Sequence, residues 1–327
     1  MNLLHFFKLV LVGTACLSAV PFLRAEKLTL AGHDEALVAI MHLWAKDFAV
    51  KNPNLTPIEV VELPAPKAGQ GTLDDPVAPP LAPNLLRFGP TAWTISTRER
   101  LELVQRNGHP PLELTLGLGA AASKGKPHAI GIFVHPDNPL RRLTLAQIDA
   151  AFSADRRRGH AKVTNWGDLG LKGEWANQPI HIMGRRLNNT VSASLREVLM
   201  LNGEFKPNYH EAADSVAAVV AVASDRLALG FFGLGFATAE VRAIALAESE
   251  TSPYIEPNES TVSDAAYALR RDFKLLVDVA HGLPKPGTLT RQFIDYLFSA
   301  EAQATLAKEG LYPLPPKLLA VERAKIK

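Results

Sequence analysis

Cysteine is nearly missing from this 327-residue chain: Cys16 is the only one, and it lies in an apolar N-terminal stretch. Removal of that stretch excludes disulfides, thiol nucleophiles and cysteine-bound metals together. Long apolar runs are missing too. The run from Leu9 to Leu23 holds about fifteen residues, short of the roughly 20 that an α-helix needs to cross a bilayer. No sign of charge dominates, since 35 Lys and Arg face 33 Asp and Glu for a net charge of +2. A nucleic-acid partner is therefore not expected. Short catalytic signatures are absent as well. There is no His-Glu-x-x-His and no Gly-x-Ser-x-Gly, and Gly117-Leu118-Gly119-Ala120 lacks the lysine of a P-loop. His109, His128, His135, His160 and His181 are scattered without ligand-like spacing. The expectation is a protein that is not an enzyme and carries no metal or cofactor.

What is present begins with an export signal over residues 1–25. Lys8 precedes the apolar run, and Leu23-Arg24-Ala25 supplies a small residue for cleavage. Gly13-Thr14-Ala15-Cys16 makes a poor lipidation motif, because its first residue is glycine and apolar residues continue past the cysteine. Beyond the signal, 47% hydrophobic and 21% charged residues describe a globular chain, long for one domain and suited to two.

Strand and helix signals alternate. Residues 27–32 read as a strand, and Ala36, Leu37, Ile40, Leu43, Trp44 and Phe48 fall at helical spacing until Asn52-Pro53. Ile58 to Leu63 is a second strand, so a parallel α/β layer is expected. Pro64 to Pro83 reads as a surface loop, because prolines and glycines interrupt it throughout. Further strands are expected at Leu85 to Phe88, Leu112 to Leu118, Ile130 to Val134, Ile180 to Met183 and Ala228 to Phe232. Helices are expected at Ser96 to Asn107, Leu145 to Phe152, Ser192 to Asn202, Val216 to Val222, Asp272 to His281 and Thr290 to Glu309. Lys317 to Lys327 reads as a short solvated helix.

Several blocks resemble the phosphate-binding-protein family, the extracytoplasmic solute receptors of ABC importers. They are Lys27 to Gly32 with the Trp44 helix, Ala129 to Leu140, Thr164-Asn165-Trp166-Gly167-Asp168-Leu169-Gly170, Met183 to Ser192, Leu229 to Gly233, Tyr267-Ala268-Leu269-Arg270-Arg271, and Phe293 to Leu314. Together they cover most of residues 27–314. The resemblance implies an α/β, two-lobed periplasmic binding protein fold (type II), with a ligand cleft between lobes joined by crossing strands. It places one lobe at residues 26–128 plus 245–327 and the other at 129–244. It also implies a periplasmic monomer that binds a phosphate-like oxyanion and delivers it to an ABC permease.

A small oxyanion is held by few groups: amides at a helix N-terminus, hydroxyls, and one arginine as a two-pronged donor. Arg185 to Thr190, running into a helix, has that make-up. Arg185 is taken as the clamp, Arg186 as its solvent-facing neighbour, and Asn188, Asn189 and Thr190 as loop donors. The family loop is one residue longer and has Ser-Gly where this chain has Asn188-Asn189. Gly32 and His33 in the opening loop, and Thr91 after the third strand, complete the expected ligand set. Asp34 and Glu35 are read as capping the first helix. Family phosphate receptors carry an aspartate near the end of the third strand to accept a hydrogen bond from the protonated oxygen of phosphate; here Arg87 stands about there. These departures keep open a second expectation, a family member turned to another periplasmic task with weak or no phosphate binding.

Overall fold

The structure is a computed structural model that describes residues 27–32, 35–55, 57–63, 81–90, 97–123 and 126–327. The export signal, His33, Asp34, Thr91 and most of the proline-rich loop lie outside the described residues. The strands are β1 (Thr29–Gly32), β2 (Glu59–Glu62), β3 (Leu85–Pro90), β4 (Leu112–Leu118), β5 (Ile130–Val134), β6 (Arg142–Thr144), β7 (His181–Arg185), β8 (His210–Ala212), β9 (Ala228–Gly233), β10 (Arg242–Ala243), β11 (Ala245–Ala247) and β12 (Asp272–Val277). The helices are α1 (Glu35–Lys51), α2 (Thr97–Asn107), α3 (Leu145–Phe152), α4 (Thr190–Val198), α5 (Ser215–Ala223), α6 (Glu259–Ser263), α7 (Leu289–Leu297), α8 (Ala300–Lys308) and α9 (Pro316–Ala324).

Among the described residues the first lobe is built on a sheet of order β2-β1-β3-β12-β4. β1 pairs in parallel with β2 and β3, which a helical crossover such as α1 permits. Leu37, Ile40, Met41, Trp44 and Phe48 of α1 recur every three or four residues and bury one stripe against Leu30, Leu86 and Phe88 of the sheet. Trp44 Nε1 donates to the Ala302 carbonyl at 3.0 Å, docking α8 on α1.

Three expected elements differ. Residues 272–277 form β12, a strand paired antiparallel with both β3 and β4, and not a helix. Phe273, Leu275 and Val277 face one core while Leu276 packs with Leu81 and Leu103 on the other side. A central strand buried on both faces loses its alternation and looks like a short buried helix in sequence. The long helix expected over 290–309 breaks into α7 and α8 at Ser299, whose hydroxyl accepts from Ala302 N and caps α8. The C-terminal helix α9 is docked, not solvated. Glu322 is buried, accepts from Thr115 N at 3.0 Å and pairs with Lys325, while Ile326 enters the core.

The second lobe is built on a sheet of order β10-β5-β9-β7-β8, with β6 and β11 paired beside it. Phe152, Trp166, Ile182, Leu195 and Phe231 are at its core. The Asn165-to-Gly170 block is a short 3-10 turn held from inside. Trp166 is buried edge-on to Trp175, and the Asp168 carboxylate accepts from Thr164 N and Asn165 N. Those two amides hold its pKa below the ordinary value. Gly167 is required there, since a Cβ would sit 2.4 Å from the Ala176 carbonyl oxygen.

Two crossing segments run side by side between the lobes: Gly119 N donates to Arg271 O and Ile130 N to Leu269 O. Residues 245–269, assigned to the first lobe from sequence, pack into the second core through Leu246, Val262, Tyr267 and Leu269. The Tyr267 hydroxyl donates to the Ile130 carbonyl.

Lys206 ties the second lobe's layers. Its ammonium donates to the carbonyls of Ala150, in the last turn of α3 (2.7 Å), and of Val163 (2.6 Å). Burial first, then Lys162 and Arg156, lowers its pKa from 10.5 to about 8, against Asp168 and Asp149. Between those values the unfolded chain binds more protons than the folded one, so this group's contribution to stability rises with pH. The stability gap between wild type and Lys206→Met, from urea unfolding at about pH 7 and about pH 9.5, is expected to shift in favour of wild type at the higher pH. A gap independent of pH contradicts this.

Candidate anion-binding site

The arginine-bearing loop starts where β7 passes under Phe231. Gly184 allows that approach, because a Cβ there would lie 2.5 Å from the Phe231 ring. Arg185 ends the strand, half-buried. Its carbonyl accepts from Ser192 Oγ at 2.9 Å and from the Tyr209 hydroxyl. Tyr209 in turn stacks on Phe231, with centroids 5.9 Å apart at 17°. Burial pushes the Tyr209 pKa well above its ordinary value, so it stays a neutral donor. The backbone of Arg185 is thus fixed from two sides.

The guanidinium is in a different condition. Nε and Nη1 are buried and have no hydrogen-bond partner among the described residues. Burial lowers the Arg185 pKa, Asp214 and Tyr209 oppose that, and Arg186 adds to it. Arginine still keeps its proton. A buried cation with unmet donors calls for an acceptor.

The turn that follows leads into a helix. Asn189 N donates to Arg186 O at 3.0 Å, and Leu187 N donates to the Glu211 carboxylate at 3.2 Å. Asn189 Oδ1 accepts from Val191 N at 2.9 Å and caps α4. Thr190 opens the helix, and its amide and hydroxyl find no acceptor among the described residues. A helix start carries partial positive charge, so an anion is favoured there.

Of the expected ligand residues, Arg185 and Thr190 therefore present free donors. Asn188 is exposed in the loop. The Asn189 side-chain oxygen is committed to its own helix, which leaves its amide nitrogen as the donor. Arg186 is exposed. Gly32 ends β1 in the first lobe, packed so closely that a Cβ would lie 3.1 Å from Met41 Sδ and 3.3 Å from Phe88 O. Arg87 is 1% exposed, in β3 beside Ala31 and Leu276. Tyr209, Asp214 and Glu211 escaped the sequence reading. Tyr209 acts on a backbone carbonyl 24 residues away, a relation that leaves no local pattern. Among the described residues no group of three or more His, Cys, Asp or Glu is arranged to hold a metal ion. No helix among them is long and apolar enough to cross a membrane.

Two α/β lobes on separate sheets, joined by paired crossing segments, define the periplasmic-binding-protein fold. A family model described as the PBP superfamily domain matches residues 128–301. The phosphate-binding protein PstS of Pseudomonas aeruginosa is 32% identical over 286 residues, which is 87% of this chain and 82% of that protein. An ABC-type phosphate transport receptor from Vibrio cholerae superposes with a TM-score of 0.55 at 19% identity, over 88% of this chain and all of that one. PstS from Borrelia burgdorferi gives a TM-score of 0.56 at 12% identity, over 89% of this chain and all of that one. The chain belongs to the PstS-type family of periplasmic binding proteins.

Proposed function

We propose that this protein captures phosphate or a related small oxyanion in the cleft between its lobes and presents it to an ABC permease. One observation carries the proposal: Nε and Nη1 of Arg185 are buried without a partner among the described residues, and the same loop leads to the uncapped amide and hydroxyl of Thr190 at the start of α4. The relatives' phosphate-binding names support the same ligand. Arg185 grips the anion, Asn188, Asn189 and Thr190 add donors, and Gly32, His33 and Thr91 close on it from the first lobe. Ligand that touches both lobes favours the closed state and so presents a new surface to the permease. Asp214, electrostatically close to Arg185, and Glu211, bonded to the loop, supply carboxylates that accept a hydrogen bond from the protonated oxygen of phosphate where Arg87 replaces the family aspartate. The protein works as a periplasmic monomer after loss of residues 1–25, with its second lobe spanning about 129–269 by its packing.

Calorimetric titration of the ion-stripped mature chain tests this. Phosphate is expected to bind with a Kd of about 1 μM or tighter, and sulfate more weakly. Absence of heat with phosphate overturns the assignment in favour of a family member that no longer carries this ligand.

A further inference from the structure

At the opposite end of β7 from Arg185 lies a cavity of about 530 Å³. Its apolar side is Ala151, Val163, Ile180 and Ile182, and Arg156, Lys162 and Lys206 line it as well. Among the described residues the side chains of Arg156 and Lys162 make no ion pair or hydrogen bond. Lys206 has three donors as an ammonium, and the carbonyls of Ala150 and Val163 take two of them.

The nearby carboxylates are held by other groups, although Asp149 keeps Oδ1 buried without a partner among the described residues. Asp149 accepts from Arg158 N at 2.8 Å, and Asp168 from Thr164 N and Asn165 N. Asp155 pairs with Arg157. Arg156 itself is held at φ 51°, a left-handed conformation unfavourable for a residue with a side chain. Ser153 Oγ fixes it there, accepting from Asp155 N and Arg156 N. Strain of this kind persists where the surroundings hold it, and it clusters at sites that use it.

We propose that this cavity is a second binding site, separate from the cleft, for a small organic anion: a carboxylate carrying a short apolar chain. The three cations take the carboxylate, and the chain lies on Val163, Ile180 and Ile182. A bare hydrated oxyanion leaves that apolar wall without a partner, whereas an aliphatic tail buries it. Burial first, and then repulsion from the nearby Lys162 and Arg156, holds the Lys206 pKa at about 8. A bound carboxylate relieves that repulsion. The proposal stands independently of the ligand assigned to the cleft.

The test is an amide NMR titration of the full mature chain with butyrate. The signals of Thr164, Lys206 and Asn208 are expected to shift in a saturable way. The double variant Arg156→Gln, Lys162→Gln breaks none of the hydrogen bonds described and is expected to weaken binding about 10-fold or more. Arg185→Ala is expected to leave it unchanged. Absence of saturable shifts, or shifts that vanish in Arg185→Ala and persist in the double variant, overturns the site. Inorganic phosphate that matches butyrate at the same amides overturns the organic-anion class.

Discussion

Arg185→Ala is expected to weaken phosphate binding by about 100-fold or more, since two charge-assisted hydrogen bonds to one anion contribute roughly 3 kcal/mol. Folding is expected to be nearly untouched. The guanidinium has no partner for Nε or Nη1 among the described residues, and the contacts that hold this loop run through the Arg185 carbonyl, not its side chain. Removing a half-buried cation even relieves some desolvation. Calorimetry for binding and urea unfolding for stability separate the two effects. Arg185→Lys restores the charge without the planar fork, and is expected to recover only part of the affinity. Unchanged phosphate affinity in Arg185→Ala removes this residue from the site.

The second large effect is on the first lobe. Trp44 is fully buried among Leu37, Ile40, Met41, Phe48 and Phe88. It also carries the bond to Ala302 that fastens the C-terminal helices. Trp44→Ala is expected to cost about 3–5 kcal/mol in urea unfolding, because a large cavity opens and the Ala302 carbonyl loses its donor. Trp44→Phe keeps most of the apolar contact and loses the indole N–H, so a cost nearer 1 kcal/mol is expected. Equal losses for the two variants would show that the hydrogen bond, and not the packed volume, dominates.

Much of the fold was legible because its signals are local. The α1 stripe, the run Leu112 to Leu118 and the run Ile130 to Val134 each state their period within one element. The Asn165-to-Gly170 block was legible through the family resemblance, and its internal hydrogen bonds explain why: Asp168 and Gly167 each meet a requirement of the turn they form. The misjudged elements depend on distant partners. β12 reads as a helix until β3 and β4 are seen on either side of it. Residues 317–327 read as solvated until Glu322 meets Thr115 N, 207 positions earlier.

The candidate site divides in the same way. Arg185 and Thr190 were visible from residue type and spacing at a strand-to-helix junction. The role of Asn189 was not, because an asparagine before a helix serves equally as a ligand donor or as an N-cap, and only geometry assigns its oxygen to Val191 N. Ser192 stood in the recognised block, yet its use as a brace for the Arg185 carbonyl depends on the turn closing back on the strand. Gly32 appears in sequence as part of a ligand loop, and in the fold it has a second duty in letting Met41 and Phe88 close over the strand end.

The most direct measurement is a crystal structure of the mature chain grown with phosphate. The account predicts a tetrahedral anion at the start of α4, with oxygens about 2.7–3.0 Å from Arg185 Nε and Nη1 and from the Thr190 amide. A phosphate bound elsewhere in the cleft, with Arg185 still unpartnered, would contradict it.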